Sequence, residues 1–245
     1  MAGHSKCAKV KHFKGALDAK RGRIFSKLSR EVTIAAKQGG GDPDMNARLR
    51  MVLLKCRSAN MPSENIDRAI KRGTGGGEGA NFEELTYEIF GPQGVAMLVE
   101  ASTDNRNRTA SEIRSLVTKN NGSIATAGSV SRLFQRKGQM IIPREAAPED
   151  ELMGLALEAG AEDFKVEPEG YEILTDPAEF EAVHREIEAK GVKCDAAQVT
   201  SLPTITVPLQ DAAAIAAVSR LIDALEDHDD VKEVHSNAEF ANPTT

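Results

Sequence analysis

A glycine-rich segment, Gly73-Thr74-Gly75-Gly76-Gly77-Glu78-Gly79, separates two textures of sequence. Before it, apolar residues recur at three- and four-residue intervals, the repeat of an amphipathic helix; after it, short strand-like runs alternate with helical stretches. One layer of secondary structure cannot bury both patterns, so the expected class is α+β: a helical unit, a linker, then α/β units. The segment follows no strand and lacks the Lys-Ser/Thr pair of a phosphate loop, which leaves a hinge as its reading. A length of 245 residues suits two or three domains, each with its own core.

In the helical half, residues 1–15 show no apolar period and read as an extended or mobile arm able to order on a phosphate backbone. From Ala16 to Lys37, a step of about 100° per residue puts Ile24, Phe25, Leu28, Val32 and Ala35 on one face and Lys20, Arg23, Lys27, Arg30 and Lys37 on the other. The apolar stripe is expected to pack and the basic stripe to face solvent. Gly39, Gly40 and Gly41 end this helix, and Asp42 and Pro43 are the expected N-cap and first-turn proline of a second one reaching about Ser58. Leu49, Val52, Leu53 and Cys56 are its inward residues. A third helix after Pro62 turns Ile66, Ala69 and Ile70 inward and Arg68, Lys71 and Arg72 outward. Three helices on short loops make a bundle over residues 1–80.

In the second half, strands are expected at 85–90 and 95–101 around the turn Gly91-Pro92-Gln93-Gly94, then a helix at 106–120 and a strand at 130–135. The run of a strand at 139–142, helix at 149–159, strands at 164–167 and 171–175, helix at 177–190 and strand at 193–201 has the βαββαβ order of a ferredoxin-like unit. A strand at 204–207, a helix at 211–225 and a strand at 231–235 lack partners of their own. The fold expected is therefore a three-helix bundle followed by two ferredoxin-like α/β domains, with residues 136–202 inserted into a domain made of 81–135 plus 203–245.

Charge is divided as sharply as pattern. Within the first thirty residues Lys6, Lys9, Lys11, Lys14, Lys20, Arg21, Arg23, Lys27 and Arg30 face one acid, Asp18. Residues 1–80 carry 17 Lys and Arg against 7 Asp and Glu, net +10, while the whole chain sums to −6, so the remainder stands at −16. A basic module on an acidic body points to nucleic acid for the first and, for the second, to phosphate repulsion or a protein partner. The nine cations of the first thirty residues are candidate phosphate contacts, extended by Lys71 and Arg72; such contacts are sequence-indifferent and weakened by salt. Arg23 and Arg30 are the candidates for touching a base edge.

Other constellations point to less. Thr103-Asp104-Asn105-Arg106-Asn107-Arg108-Thr109 opens a helix that Thr103 or Asp104 would cap, and Arg106 and Arg108 either hold an anion at its N-terminus or leave Arg108 paired with Asp104. The run Glu226, Asp227, Asp229 and Asp230 beside His228 reads as a solvated turn, and His184, His228 and His235 as surface residues. His4 and His12 lack ligand partners at workable spacing. Cys7, Cys56 and Cys194 form no CxxC pair, so neither a zinc cluster nor a disulfide is expected, and a reducing, cytoplasmic setting follows. The chain has no signal-like apolar run and no 18-residue apolar span; a cleaved organellar leader is the other reading of its basic start. Trp is absent, which argues against an aromatic ligand cage. Without HExxH, GxSxG or a nucleotide fingerprint, no enzyme chemistry, cofactor or metal is expected.

Several long motifs in register resemble the YebC/PmpR family, which includes the mitochondrial translational activator of cytochrome c oxidase subunit I. They are MAGHSK at 1–6, DAKRGRIFSKL at 18–28, QGGGDP at 38–43, NMP at 60–62, RAIKRGTGG at 68–76 and TDNRNRT at 103–109. The resemblance covers about the first 135 residues by motif and the remainder by element order. It implies a helical domain followed by two α/β domains, with transcriptional regulation by DNA binding as the expected role. A competing implied role is translation on the ribosome. The chain departs from the family at Cys7, where a Trp is usual, and so loses any base-stacking role there.

Overall fold

The computed structural model describes residues 17–75 and 82–240, with side chains from Gly22 onward. The expected arm with His4 and His12, and the central glycines of the linker, lie outside the described residues. Three helices come first: α1 (Leu17–Gly39), α2 (Ala47–Ser58) and α3 (Ser63–Thr74). The apolar stripe of α1 packs as its period requires, with Leu28, Val32 and Ala35 meeting Leu49, Val52 and Cys56 of α2 and Ala69 of α3 in one core. α1 and α3 run side by side in the same direction. Thr33 Oγ1 donates to the Ala69 carbonyl at 3.2 Å, and one turn further on Gly73 lies against Ala36 and Lys37.

That approach explains a departure from the expected linker. A β-carbon at Gly73 would sit 2.5 Å from the Thr33 carbonyl oxygen and 2.8 Å from Ala36 Cβ, so this glycine serves helix contact, and α3 continues through it to Thr74. The N-cap of α2 also differs. It is Asn46, not Asp42: Asn46 Oδ1 accepts from the Leu49 N–H at 3.0 Å, while Nδ2 donates to the carbonyls of Ala35 and Gly40 at 2.9 and 2.8 Å. One buried amide thus starts α2 and ties it to the end of α1, which a carboxylate without donors cannot do. Asp42 accepts instead from Asp44 N–H in the preceding turn.

The rest of the chain forms β1 (Glu83–Phe90), β2 (Ala96–Thr103), α4 (Arg106–Lys119), β3 (Ser123–Ile124), β4 (Phe134–Pro143), α5 (Glu149–Glu158), β5 (Asp163–Glu167), β6 (Gly170–Thr175), α6 (Phe180–Ala189), β7 (Ala196–Pro203), β8 (Val207–Leu209), α7 (Ala212–Glu226), β9 (Val231–Ser236) and β10 (Ala238–Phe240). The antiparallel sheet β5-β6-β4-β7, drawn from one continuous stretch, has the ferredoxin-like arrangement. Sheet β3-β1-β2-β9 takes strands from both sides of that stretch. Strand alternation serves two faces of β2: Met97 and Val99 join Ile113, Val117 and Leu221 of α4 and α7, and Ala96 and Leu98 join Val130 and Phe134 on the other side.

The strands expected at 130–135 and 139–142 are replaced by one, β4, paired along its length with β6 and β7. Gly138 does not break it, because a β-carbon there would meet the Phe180 ring at 2.6 Å; the glycine makes room for a fully buried aromatic. Val130 lies in the preceding loop. The strand expected at 204–207 is β8, which pairs in parallel with β10. His184 and His235, expected at the surface, are 6% and 3% exposed.

Candidate nucleic-acid interface

The side chains of Lys6, Lys9, Lys11, Lys14, Lys20 and Arg21 lie outside the described residues. Of the remaining candidates, the three on α1 are brought together by the helical period, but onto protein. Arg23, Lys27 and Arg30 face the turn after α7. Arg23 pairs with Asp227 at 3.5 Å, the two side chains 53% and 46% exposed. Lys27 Nζ donates to the Glu226 carbonyl at 2.6 Å. Arg30 Nη1 donates to Ser102 O at 2.8 Å, to Asp230 Oδ1 at 3.0 Å and to Asp229 O at 3.2 Å, with its guanidinium 5.1 Å from the centre of the Phe82 ring. Burial lowers the pKa of the Lys27 ammonium, against the pull of Glu226, Asp229 and Asp227. The basic stripe therefore does not simply face solvent, because the acids one expects to be solvated lie across from it.

Asp230 is the centre of this contact. It is 4% exposed, and besides Arg30 it accepts from Thr109 Oγ1 at 2.6 Å and Arg108 Nη2 at 2.8 Å, both on Oδ2. Desolvation works against its charge, but the hydrogen bonds from Thr109, Arg108 and Thr103 outweigh it and hold the carboxyl at about 2. The TDNRNRT motif thus serves an anion belonging to the chain. Arg108 also pairs with Asp104 at 3.0 Å, as one of the two expected readings has it. The cap of α4 is Asn105, whose Oδ1 accepts from Arg108 N–H at 3.1 Å, while Thr103 Oγ1 accepts from the Asn105 N–H and lies 2.8 Å from the Thr109 hydroxyl oxygen. Arg106 is exposed, as are Lys71 and Arg72 in the last turn of α3.

The polarity of the docking surface is uniform. Among the described residues, five ion pairs join the bundle to the rest: Arg23–Asp227, Arg30–Asp230, Arg48–Glu84, Arg50–Glu181 and Lys55–Glu233. In each the bundle supplies the cation. Arg50 grips Glu181 with two nitrogens, and burial at Lys55 is outweighed by Glu233 and its neighbours, so that ammonium's pKa is raised. Met51 and Leu54 of α2 add an apolar contact against the core of the ferredoxin-like unit. Glu112, His228 and Asp230 bring three ligand-type atoms within 4.8 Å of one another. Their hydrogen bonds account for this: His228 Nδ1 accepts from the Asp230 N–H at 3.1 Å, its Nε2 meets Glu112 at 3.0 Å, and two arginines neutralise Asp230.

Sequence reasoning missed Asp230 and Glu233 as partners of the bundle. The signal that points to them is the opposite sign of the two halves, which fits an internal pairing as well as an external ligand.

Comparison with known proteins follows the same division of the chain. Residues 5–76 match the model of the TACO1/YebC protein N-terminal domain, and residues 82–238 match that of the TACO1/YebC second and third domain. The chain belongs to the TACO1/YebC family. A family relative from Persephonella marina is 48% identical over 242 residues, covering 98% of this chain and 97% of the relative. One from Halothermothrix orenii is 50% identical over 239 residues, covering 97% and 94%. Both carry the name "Probable transcriptional regulatory protein". The crystal structure of a conserved hypothetical protein from Aquifex aeolicus shares the TACO1/YebC fold seen here, with a TM-score of 0.83 and 45% identity over 92% of this chain and 93% of that one. Among the described residues no helix is long and apolar enough to cross a membrane.

Proposed function

We propose that this protein is a regulator that binds nucleic acid through its basic N-terminal part, with duplex DNA as the target that the relatives' names favour. The observation that carries this reading is the net charge of +10 on residues 1–80, which exceeds what the docking surface uses. Arg57, Arg68, Lys71 and Arg72 stay exposed on α2 and α3, and Lys6 to Lys14 add to them in sequence. Cations of this kind neutralise phosphates. The acidic body adds a surface for a protein partner. The second reading, an RNA- or ribosome-associated translation factor, is favoured by one feature of the same surface: the exposed cations of α3, Arg68, Lys71 and Arg72, have no adjoining Asn or Gln pair to read bases.

The test is a binding titration across a salt series with a promoter-length DNA duplex and with a structured RNA, alongside sedimentation of the protein in cell lysate. Replacing Lys71 and Arg72 with Gln is expected to weaken binding and lower the salt slope by about 1 for each phosphate no longer neutralised. An unchanged slope would remove α3 from the interface. Comigration with ribosomes, with DNA binding that is sequence-indifferent and abolished at physiological salt, would replace the transcriptional reading by the translational one.

A further inference from the structure

We infer that the turn Glu226–Asp230 is an internal competitor for the α1 cations, so that the docked bundle is a closed state and nucleic acid binds by taking Arg23, Lys27 and Arg30 from the body's oxygens. The inference rests on the proposed nucleic-acid reading and adds its regulation. In the docked state these donors are turned to the body: Lys27 Nζ faces the Glu226 carbonyl, and one Arg30 nitrogen is shared among Ser102, Asp229 and Asp230. The turn offers acceptor oxygens in succession along a chain, carboxylate and carbonyl where a phosphate backbone offers anionic phosphoryl oxygens, and the same arginine and lysine donors suit both.

The contact is also built to exchange. Its outer pair, Arg23–Asp227, is about half exposed on both sides, so an incoming polyanion reaches it first; such a pair contributes little on its own. The inner pair, Arg30–Asp230, is mostly buried and sets the threshold. Because the bundle supplies the cation in each of the five ion pairs, any polyanion competes with all of them in the same sense, and salt weakens them together. The apolar seat of Met51 and Leu54 is untouched by that competition, so the polar edge can open with the bundle still held to the ferredoxin-like unit. In the closed state the measured affinity is the intrinsic one reduced by the fraction of open molecules.

The experiment uses the full chain and the double variant Asp227→Asn/Asp229→Asn, which weakens the turn while leaving Asp230 and its hydrogen bonds in place; Asp227→Asn alone guards against a folding defect in the pair. Fluorescence anisotropy at low salt reads binding to a labelled 20-base-pair DNA duplex and, separately, to an RNA hairpin. A control variant, Glu151→Gln/Glu158→Gln, removes the same charge from exposed positions on α5, far from the turn in sequence. The expected result is binding tighter by roughly threefold to tenfold for the turn variants on whichever nucleic acid binds, with the control within about twofold of wild type. Hydrogen exchange gives a second readout: amides of residues 226–231 in the wild type should exchange faster once the duplex or hairpin is bound. Equal gains in the turn and control variants, no gain in either, or unchanged exchange at the turn on binding would each overturn the competitor while leaving nucleic-acid binding intact. Failure of every variant to bind DNA or RNA at low salt would overturn the underlying reading, and the competitor with it.

Discussion

Replacing Asp230 with Asn tests whether this carboxylate joins the bundle, the TDNRNRT segment and β9. The side chain keeps its shape but has one acceptor oxygen in place of two. In the native arrangement Oδ2 receives Thr109 and Arg108, and Oδ1 receives Arg30. An amide can keep one side; on the other its NH2 group faces a guanidinium donor. A carboxyl held at about 2 against an ordinary 3.8 contributes about 2 kcal/mol at neutral pH. Adding the mismatched donor gives an expected loss of about 2–3 kcal/mol, or a Tm lower by about 5–10 °C. The folded pKa is depressed, so the contribution is fully present above about pH 4 and is lost as pH falls toward 2. Thermal melts followed by far-UV circular dichroism at pH 6 and pH 3 should show the gap between wild type and variant narrowing by about 1 kcal/mol at the lower pH. A shift below about 1 °C at pH 6, or a gap that does not change with pH, would refute the reasoning that charge, rather than shape, is what Asp230 supplies.

Three further outcomes are expected. Asn46→Ala removes a buried cap and the hydrogen bonds to the Ala35 and Gly40 carbonyls at once and should cost about 2 kcal/mol or more in urea denaturation, whereas Asp42→Ala should change little. Gly73→Ala puts a methyl group against the Thr33 carbonyl and should lower the melting temperature of the bundle by forcing α1 and α3 apart, with a cost of about 1–3 kcal/mol. The thiols of Cys56 and Cys194, pushed up to about 11 and about 12 chiefly by burial, should react with a thiol reagent at pH 7.5 far more slowly than a free cysteine; rapid labelling of either in the folded protein would contradict the packing described.

Much of the architecture was legible because it is local. The three-residue and four-residue spacing of Leu28, Val32 and Ala35 fixes which side of α1 packs whatever it packs against, and the βαββαβ order follows from where short runs alternate with helical ones. The departures fall where a distant residue overrides a local cue. Gly138 falls in the gap between two expected strands until Phe180 is placed over it, and Gly73 looks like the start of a linker until α1 lies against it. His235 looks exposed until β7 brings Thr200 to within 3.3 Å.

By itself the sequence determined the α+β class, the apolar faces of the helices and the presence of a strongly basic module on an acidic body. What those charges meet was decided by tertiary structure. Arg30 and Asp230 stand 200 positions apart and come to 3.0 Å, a contact that no periodicity encodes. The physical reason is range: side-chain periodicity is set by neighbours along one element, whereas the environment of a charge is set by whatever lies within a few ångströms in space.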